Sequence, residues 1–362
     1  MKLKEIGSTY WLSPNTTNGF MRKSLKTPDV FEGASYVSTC RSAIGIVLDI
    51  LLPSEHKVAL LPAFTCESVL VAFVDRGYVV YPYPIRRDLT IAWNQFLERI
   101  EKVQPSVVLV HSYFGFDTIA ELRPHVLELR DKGIIVIEDE TQSMFNSKPL
   151  AHANYYVGSI RKWMPLPDGA FVSVPFHSNK EDIELVEAKM EAFTKKGNWV
   201  LNGVGEKPVF QQAFRKAEGI LDRRKEPFSM SSISCELYAC PDIESMKAVR
   251  RDNCQAILNG IMVSKALSDH LQLPISRIEA HDCPFHLPVL VKEGRKELQQ
   301  YLAQHDIFAT VIWGCPTKYK GIVDEESKYV YDHILCFHVD QRYDQNDMMR
   351  IIDALKAFYE VI

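Results

Sequence analysis

Three short segments carry side chains whose chemistry is complementary. The first, Ile135-Val136-Ile137-Glu138-Asp139, is an apolar run ending in an acid, with Gln142 three residues on. In open α/β sheets ligands sit beyond the carboxyl ends of the strands, and a carboxylate there can keep a pyridine nitrogen protonated, which makes such a ring an electron sink. The second, Gly158-Ser159-Ile160-Arg161-Lys162, places a lysine and a hydroxyl just past the next strand-like run. A lysine amine forms imines with aldehydes, but only when neutral, so its pKa must fall from about 10.4 through burial or a neighbouring cation such as Arg161. The third, Ser38-Thr39-Cys40-Arg41-Ser42-Ala43, opens a helical stretch, and helix-start amides and hydroxyls make a phosphate site. Each segment alone has an ordinary reading: an acid that caps a turn, a solvated basic pair, a Ser/Thr helix cap.

The elements that must position these groups alternate. Ala43 to Leu52 reads as helix, Lys57 to Leu61 as strand, Cys66 to Arg76 as helix and Tyr78 to Tyr83 as strand. Helix Trp93 to Lys102, strand Ser106 to His111, helix Ile119 to Lys132 and strand Ile134 to Glu138 follow. Strands apolar on both faces, alternating with helices, predict an α/β fold with a mostly parallel central sheet sandwiched by helices. Tyr155 to Ile160 and Ala170 to Val174, joined by Pro165-Leu166-Pro167-Asp168-Gly169, predict an antiparallel pair beside it. Glu181 to Asp222 is charged and helical and reads as a bridge between domains, followed by a helix over Ile243 to Leu258 after a break at Pro241. Strand-like Phe285 to Val291, Thr310 to Trp313 and Ile334 to Val339, with helical Glu293 to His305 and Asn346 to Tyr359, predict a smaller C-terminal α+β domain. The expected division is an N-terminal arm over 1–30, a large domain over 31–235 and a small domain over 236–362.

Composition narrows the function. The chain has 362 residues, 46% of them hydrophobic, and a formal net charge of −4, which gives no reason to expect nucleic-acid or anionic-membrane partners. The start lacks the apolar run of a secretory signal, and no apolar run reaches the roughly 20 residues that span a bilayer, so a cytoplasmic setting is expected. Eight cysteines scattered over the chain suit free thiols, and Asn15-Thr16-Thr17 reads as a chance glycosylation match. His281-Asp282-Cys283-Pro284-Phe285-His286 lacks the second ligand pair of a structural zinc site, so no metal is expected. Gly203-Val204-Gly205 lacks the third glycine of a dinucleotide fingerprint, and no Gly-x-x-x-x-Gly-Lys-Ser loop occurs.

The order of Ser38-Thr39-Cys40-Arg41-Ser42-Ala43, Leu61-Pro62-Ala63-Phe64-Thr65, Val136-Ile137-Glu138-Asp139 with Gln142, and Ser159-Ile160-Arg161-Lys162 resembles the DegT/DnrJ/StrS family of sugar aminotransferases, which have the type I pyridoxal-phosphate transferase fold. Ile334-Leu335 through Val339-Asp340-Gln341-Arg342-Tyr343 is similar to that family's closing strand and helix, so the likeness runs over roughly residues 30 to 360. The resemblance implies that Lys162 holds pyridoxal 5'-phosphate as a Schiff base and shuttles the proton, and that Asp139 pairs with the pyridine nitrogen. Gln142 matches the residue near the ring hydroxyl and Ser159 the phosphate-binding serine, although it lies three residues before the lysine where the family's serine lies five before. Thr39, Cys40 and Arg41 fall at the phosphate, the latter two offering mainly main-chain N–H groups. Cys66 stands where many members stack an aromatic ring on the cofactor, which turns attention to Tyr113 or Phe114 as the ring donor. His286 is a candidate for facing the substrate or for packing in the small domain, and Trp313 and Tyr343 read as core.

By the same resemblance the donor is an amino acid, glutamate by analogy, and the acceptor a keto-sugar, nucleotide-linked, in polysaccharide or amino-sugar biosynthesis. A homodimer with the site at the subunit boundary is expected. The family's partner-donated asparagine and arginine loop has no counterpart between Glu181 and Met230; Arg223 and Arg224 could replace it or form a charged helix face. Two alternatives stand beside transamination. One is dehydration or decarboxylation on the same cofactor, against which Lys162 argues, because the related sugar dehydratases carry histidine there. The other is a binding or regulatory protein with a decayed site.

Overall fold

The computed structural model describes residues 5–12, 33–51, 56–146, 148–239 and 242–360. Most of the expected N-terminal arm, the Asn15-Thr16-Thr17 triplet and the break at Pro241 lie outside them. The strands in chain order are β1 (Ile6–Gly7), β2 (Ser35–Val37), β3 (Val58–Pro62), β4 (Val79–Tyr83), β5 (Val107–Val110) and β6 (Ile135–Asp139). They continue with β7 (Tyr155–Gly158), β8 (Ala170–Val172), β9 (Leu271–Gln272), β10 (Leu287–Val291), β11 (Ile307–Phe308) and β12 (Ile334–Phe337). The fold is α/β with a mostly parallel central sheet. The chain forms two compact units, one of Met1–Ser8, Ser54–Asn154 and Met246–Ile362, the other of Thr9–Pro53 and Tyr155–Ser245.

In the first unit β4, β3, β5 and β6 pair in parallel in that order, with Leu60 level with Tyr81 and Val108, and Val108 level with Val136. Helices Glu67–Val74 and Trp93–Val103 and the helical stretch 120–131 cross between them. All four residues of β5 are buried, as are four of the five in β3 and in β6, because helices cover a parallel sheet on both faces. At β4 Val79 and Tyr81 are exposed and Pro82 gives no ladder donor, the features of an edge strand. The helix expected over Ile119 to Lys132 divides into a 3₁₀ segment, Ala120–His125, and an α-helix, Val126–Asp131. Pro124 inside it has no N–H to donate, so the first turns tighten.

The same unit holds the antiparallel set β12-β10-β9 and the parallel pair of β1 with β11. Thr310 to Trp313 is not a strand. Thr310 alone exchanges both main-chain bonds with Cys336, each 2.9 Å, and the pairing segment is Ile307–Phe308, taken up by Ile6–Gly7. The fully buried Arg250 joins helix Ile243–Val263 to the strand ends, donating to Gln341 Oε1 and to the carbonyls of Pro284 and Phe285.

In the second unit β2, β8 and β7 form an antiparallel ladder, with Tyr36 level with Phe171 and Gly158 level with Phe171 from the other side. Helices Ile183–Asn202 and Lys207–Arg223 pack as a hairpin over Phe193, Phe210 and Phe214. Gly203, at φ +64°, ends the first helix in the left-handed conformation that an L side chain avoids. That is the role of the Gly203-Val204-Gly205 segment. Asp182 caps the same helix by accepting from the Leu185 N–H, and Arg224 grips Asp182 with two bonds of 2.7 and 2.9 Å. Arg224 is thereby committed to tying the hairpin ends together.

Candidate active site

The second unit builds the surroundings of Lys162 through a short chain of main-chain bonds. Arg161 N–H donates to the Gly169 carbonyl at 3.1 Å, and Gly169 N–H donates to the Ser38 carbonyl at 2.8 Å. Ser38 precedes Thr39, whose Oγ1 accepts from the Ser42 N–H at 3.1 Å and caps helix Cys40–Ile50. The one-turn 3₁₀ helix Ile160–Lys162 is therefore fastened to the start of that helix, where the first amides have no intrahelical acceptor and the dipole favours an anion. Asp168 anchors the turn from below, accepting from Ser231 N–H at 3.1 Å, Ser231 Oγ at 2.6 Å and Ser234 Oγ. Ser159 is buried immediately ahead of the turn.

Lys162 is half-buried, and among the described residues its Nζ makes no hydrogen bond or ion pair. The Nε of Arg161 is buried without an acceptor, a donor that an anionic ligand group would satisfy. Arg41 turns its guanidinium to Asp222, 3.4 Å away, so what it can offer at the helix start is its main-chain N–H. Below these groups Lys189 is ion-paired with Glu218. Burial, reinforced by the Arg161 charge, lowers the Lys189 ammonium from its ordinary value. Burial pushes the Glu218 carboxyl up, but Arg161, Lys189 and Lys162 together pull it net below the usual range.

The first unit builds the surroundings of Asp139. It is the last residue of β6 and almost fully buried, and its Oδ1 accepts from the Thr141 N–H at 2.9 Å. That bond fixes the turn Glu140–Gln142, from which the Gln142 carbonyl oxygen accepts the Phe114 N–H at 2.9 Å. The Gln142 NH2 group remains as a donor. Phe114 sits at φ +55°, strained for an aromatic residue, and Gly115 follows at +87°. Two further bonds hold this turn: Phe285 N–H to the Phe114 carbonyl at 2.8 Å and Cys283 N–H to the Gly115 carbonyl at 3.2 Å.

Tyr113 and Phe114, the expected ring donors, are both fully buried. The Tyr113 hydroxyl donates to the Phe64 carbonyl at 2.6 Å, and burial raises it well above the usual phenol range. Cys66 is half-buried, its Sγ 3.0 Å from Ser68 Oγ. His286 is buried against His338 and Phe285, with ring centroids 4.5 and 4.4 Å away, and burial together with the His338 charge holds its imidazole well below the ordinary value. It packs as a neutral ring in a cluster with Asp340 and Arg342, which bind each other at 2.7 Å.

Sequence reasoning singled out Asp139 in an acidic triplet and passed over its neighbours. Glu138 accepts from the Leu150 N–H at 2.6 Å and Glu140 from Ser143 Oγ at 2.8 Å. Burial, then the charge of Glu140, drives the Glu138 carboxyl well above the usual range, and burial raises Glu140 as well. Glutamates flanking a strand-end aspartate were the available signal. His111 was also missed. It directly follows Val110, the last residue of β5, and its ring stacks on Trp313. Among the described residues no group of three or more His, Cys, Asp or Glu could hold a metal ion, and no helix is long and apolar enough to cross a membrane.

No family model matches the sequence, and a search of curated proteins finds no match. Solved structures match over nearly the whole chain. PseC of Helicobacter pylori, an aminotransferase involved in the biosynthesis of pseudoaminic acid, is 13% identical with a TM-score of 0.71, covering 99% of this chain and 100% of its own. A DegT DnrJ EryC1 StrS aminotransferase from Brucella abortus is 16% identical with a TM-score of 0.64, covering 97% and 91%. The sugar aminotransferase CalS13 from Micromonospora echinospora is 14% identical with a TM-score of 0.62, covering 98% and 99%. The chain has the fold of these aminotransferases from end to end.

Proposed function

We propose that this protein is a pyridoxal-phosphate-dependent aminotransferase that moves an amino group from an amino acid, glutamate by analogy, to a keto-sugar, nucleotide-linked, in polysaccharide or amino-sugar biosynthesis. A cytoplasmic homodimer is part of the same reading. The observation that carries it is the pair of prepared ends in an aminotransferase fold: a buried carboxylate at the carboxyl end of a parallel strand, and an unpartnered lysine amine on a turn fastened to a helix start.

Bound pyridoxal phosphate supplies an aldehyde that condenses with amines and a pyridine ring that accepts the electrons of a neighbouring C–H bond. Asp139 would accept a hydrogen bond from the pyridine N–H and hold that proton in place. Gln142, its side-chain carbonyl oxygen already taken by Phe114, would offer its NH2 group to the ring hydroxyl. Ser159, Thr39 and the main chain of Cys40 and Arg41 would hold the phosphate, with the buried Arg161 Nε as a further donor. Lys162 would hold the cofactor's aldehyde end through its Nζ, and the same amine, once free, would carry the proton in both half-reactions.

The test is chemical. Protein loaded with pyridoxal phosphate and treated with borohydride is expected to carry a pyridoxyl group on the Lys162 peptide by mass spectrometry, and Lys162→Ala is expected to carry none. Glutamate is expected to bleach the unreduced protein to the amine form. A label on another lysine, or no bleaching by any amino acid, would overturn the assignment.

A further inference from the structure

The fold brings five aromatic rings together at the carboxyl ends of β3 and β5, all within the first unit. Phe64 contacts Tyr113, Trp313 and Tyr331 with centroids 5.5, 5.1 and 4.8 Å away. His111 meets Tyr113 edge-on at 4.5 Å and lies nearly parallel to Trp313, 5.6 Å away at 28°. The cluster is fixed by hydroxyls: Tyr113 donates to the Phe64 carbonyl, and Tyr331 accepts from the Thr65 N–H at 3.0 Å and donates to the Ala63 carbonyl at 2.8 Å. Phe64, Tyr113, His111 and Tyr331 are buried by this packing, whereas Trp313 stays half-exposed. It stands on a stretch without regular structure that the Thr310–Cys336 bonds hold to β12.

Position 66 cannot supply a stacking ring, because Cys66 has none, and the rings of Tyr113 and Phe114 have no open face. His111 directly follows β5, the parallel neighbour of the strand that Asp139 ends, and turns one ring face to Trp313. We infer that Trp313, backed by His111 and Phe64, provides the aromatic surface that meets the pyridine ring above Asp139. Trp313 thus does the work that an aromatic residue at 66 would do. This rests on the cofactor reading of the preceding section.

The experiment measures the dissociation constant of pyridoxal phosphate and the visible circular dichroism of the bound cofactor. Trp313→Leu keeps an apolar side chain on Phe64 but removes the ring, and a lost aromatic contact is expected to weaken binding about tenfold, with a diminished dichroic band. Trp313→Phe is expected to restore affinity to within about threefold of wild type, since a ring is again present. Cys66→Phe added to Trp313→Leu is expected to recover binding. Fluorescence gives a reading independent of the leucine variant's folding: pyridoxal phosphate is expected to quench a share of wild-type tryptophan emission that Trp313→Phe lacks. Equal quenching, unchanged affinity in Trp313→Leu, or a loss that phenylalanine does not rescue would each overturn the inference. A wild-type protein that binds no pyridoxal phosphate would remove the cofactor reading itself, whereas unaffected variants of a binding protein would remove Trp313 alone.

Discussion

Gly115→Ala tests how the Tyr113-Phe114-Gly115 turn is held, and its cost follows from the geometry. A Cβ on Gly115 would lie 1.8 Å from the Cys283 carbonyl oxygen and 2.9 Å from the Phe285 nitrogen, with backbone on both sides and no flexible side chain to yield. The segment 283–285 must therefore draw away, breaking the two main-chain bonds that join it to Phe114 and Gly115. Breaking a buried bond costs about 1–3 kcal/mol, so two broken bonds come to about 2–6 kcal/mol. The left-handed φ of +87° adds about 1 kcal/mol for any L side chain. Gly133→Ala separates these contributions, because Gly133 has φ +79° but nothing within 4 Å of its would-be Cβ. Urea unfolding of both variants is expected to show Gly115→Ala less stable than Gly133→Ala by at least about 2 kcal/mol. Hydrogen exchange of peptides covering 111–118 and 281–288 is expected to accelerate in the first variant alone. Equal stabilities, or protection unchanged in those peptides, would refute the reasoning that this turn is clamped by the Cys283–Phe285 segment.

Two titrations follow from the buried groups. His286 is held neutral, its pKa below the unfolded value of about 6.5, so its contribution is complete above that value and is lost as pH falls through and below it. His286→Gln is expected to flatten the decline of thermal stability between about pH 6.5 and 5, and an unchanged profile would show that the imidazole does not control it. Glu138 has the opposite sign: its folded pKa is raised, so ionising it costs stability as pH rises. Glu138→Gln, which keeps an acceptor for the Leu150 N–H, is expected to gain stability over wild type at about pH 8 and to match it at about pH 5. A gain at the lower pH alone would refute the raised Glu138 carboxyl.

Much of the fold was legible in local pattern. The runs Val107–Val110 and Ile135–Asp139 are apolar without alternation, which only a sheet covered on both faces satisfies, and their spacing by helices forces parallel crossovers. The turn Pro165-Leu166-Pro167-Asp168-Gly169 announced the antiparallel pair β7 and β8. Periodicity failed where a distant partner decides. Thr310 to Trp313 has strand-like composition, yet Ile6–Gly7 takes the pairing at Ile307–Phe308, and Trp313 turns to a cluster whose other members lie some 200 or more residues earlier or at Tyr331. Within 120–131 a single Pro124 outweighed helical composition.

The chemistry divides along the same line. Residue types and their order along the chain singled out Asp139 and Lys162 as the proposed reactive ends, since a strand-end acid and a lysine beyond the next strand are local features. Which neighbours serve those ends was decided only by tertiary structure. Burial of Tyr113 and Phe114, the raised carboxyl of Glu138, and the stack of His111 on Trp313 arise from contacts between segments that local sequence does not relate. Exposure and proton affinity are properties of the surroundings of a side chain, and the chain acquires those surroundings only when it folds.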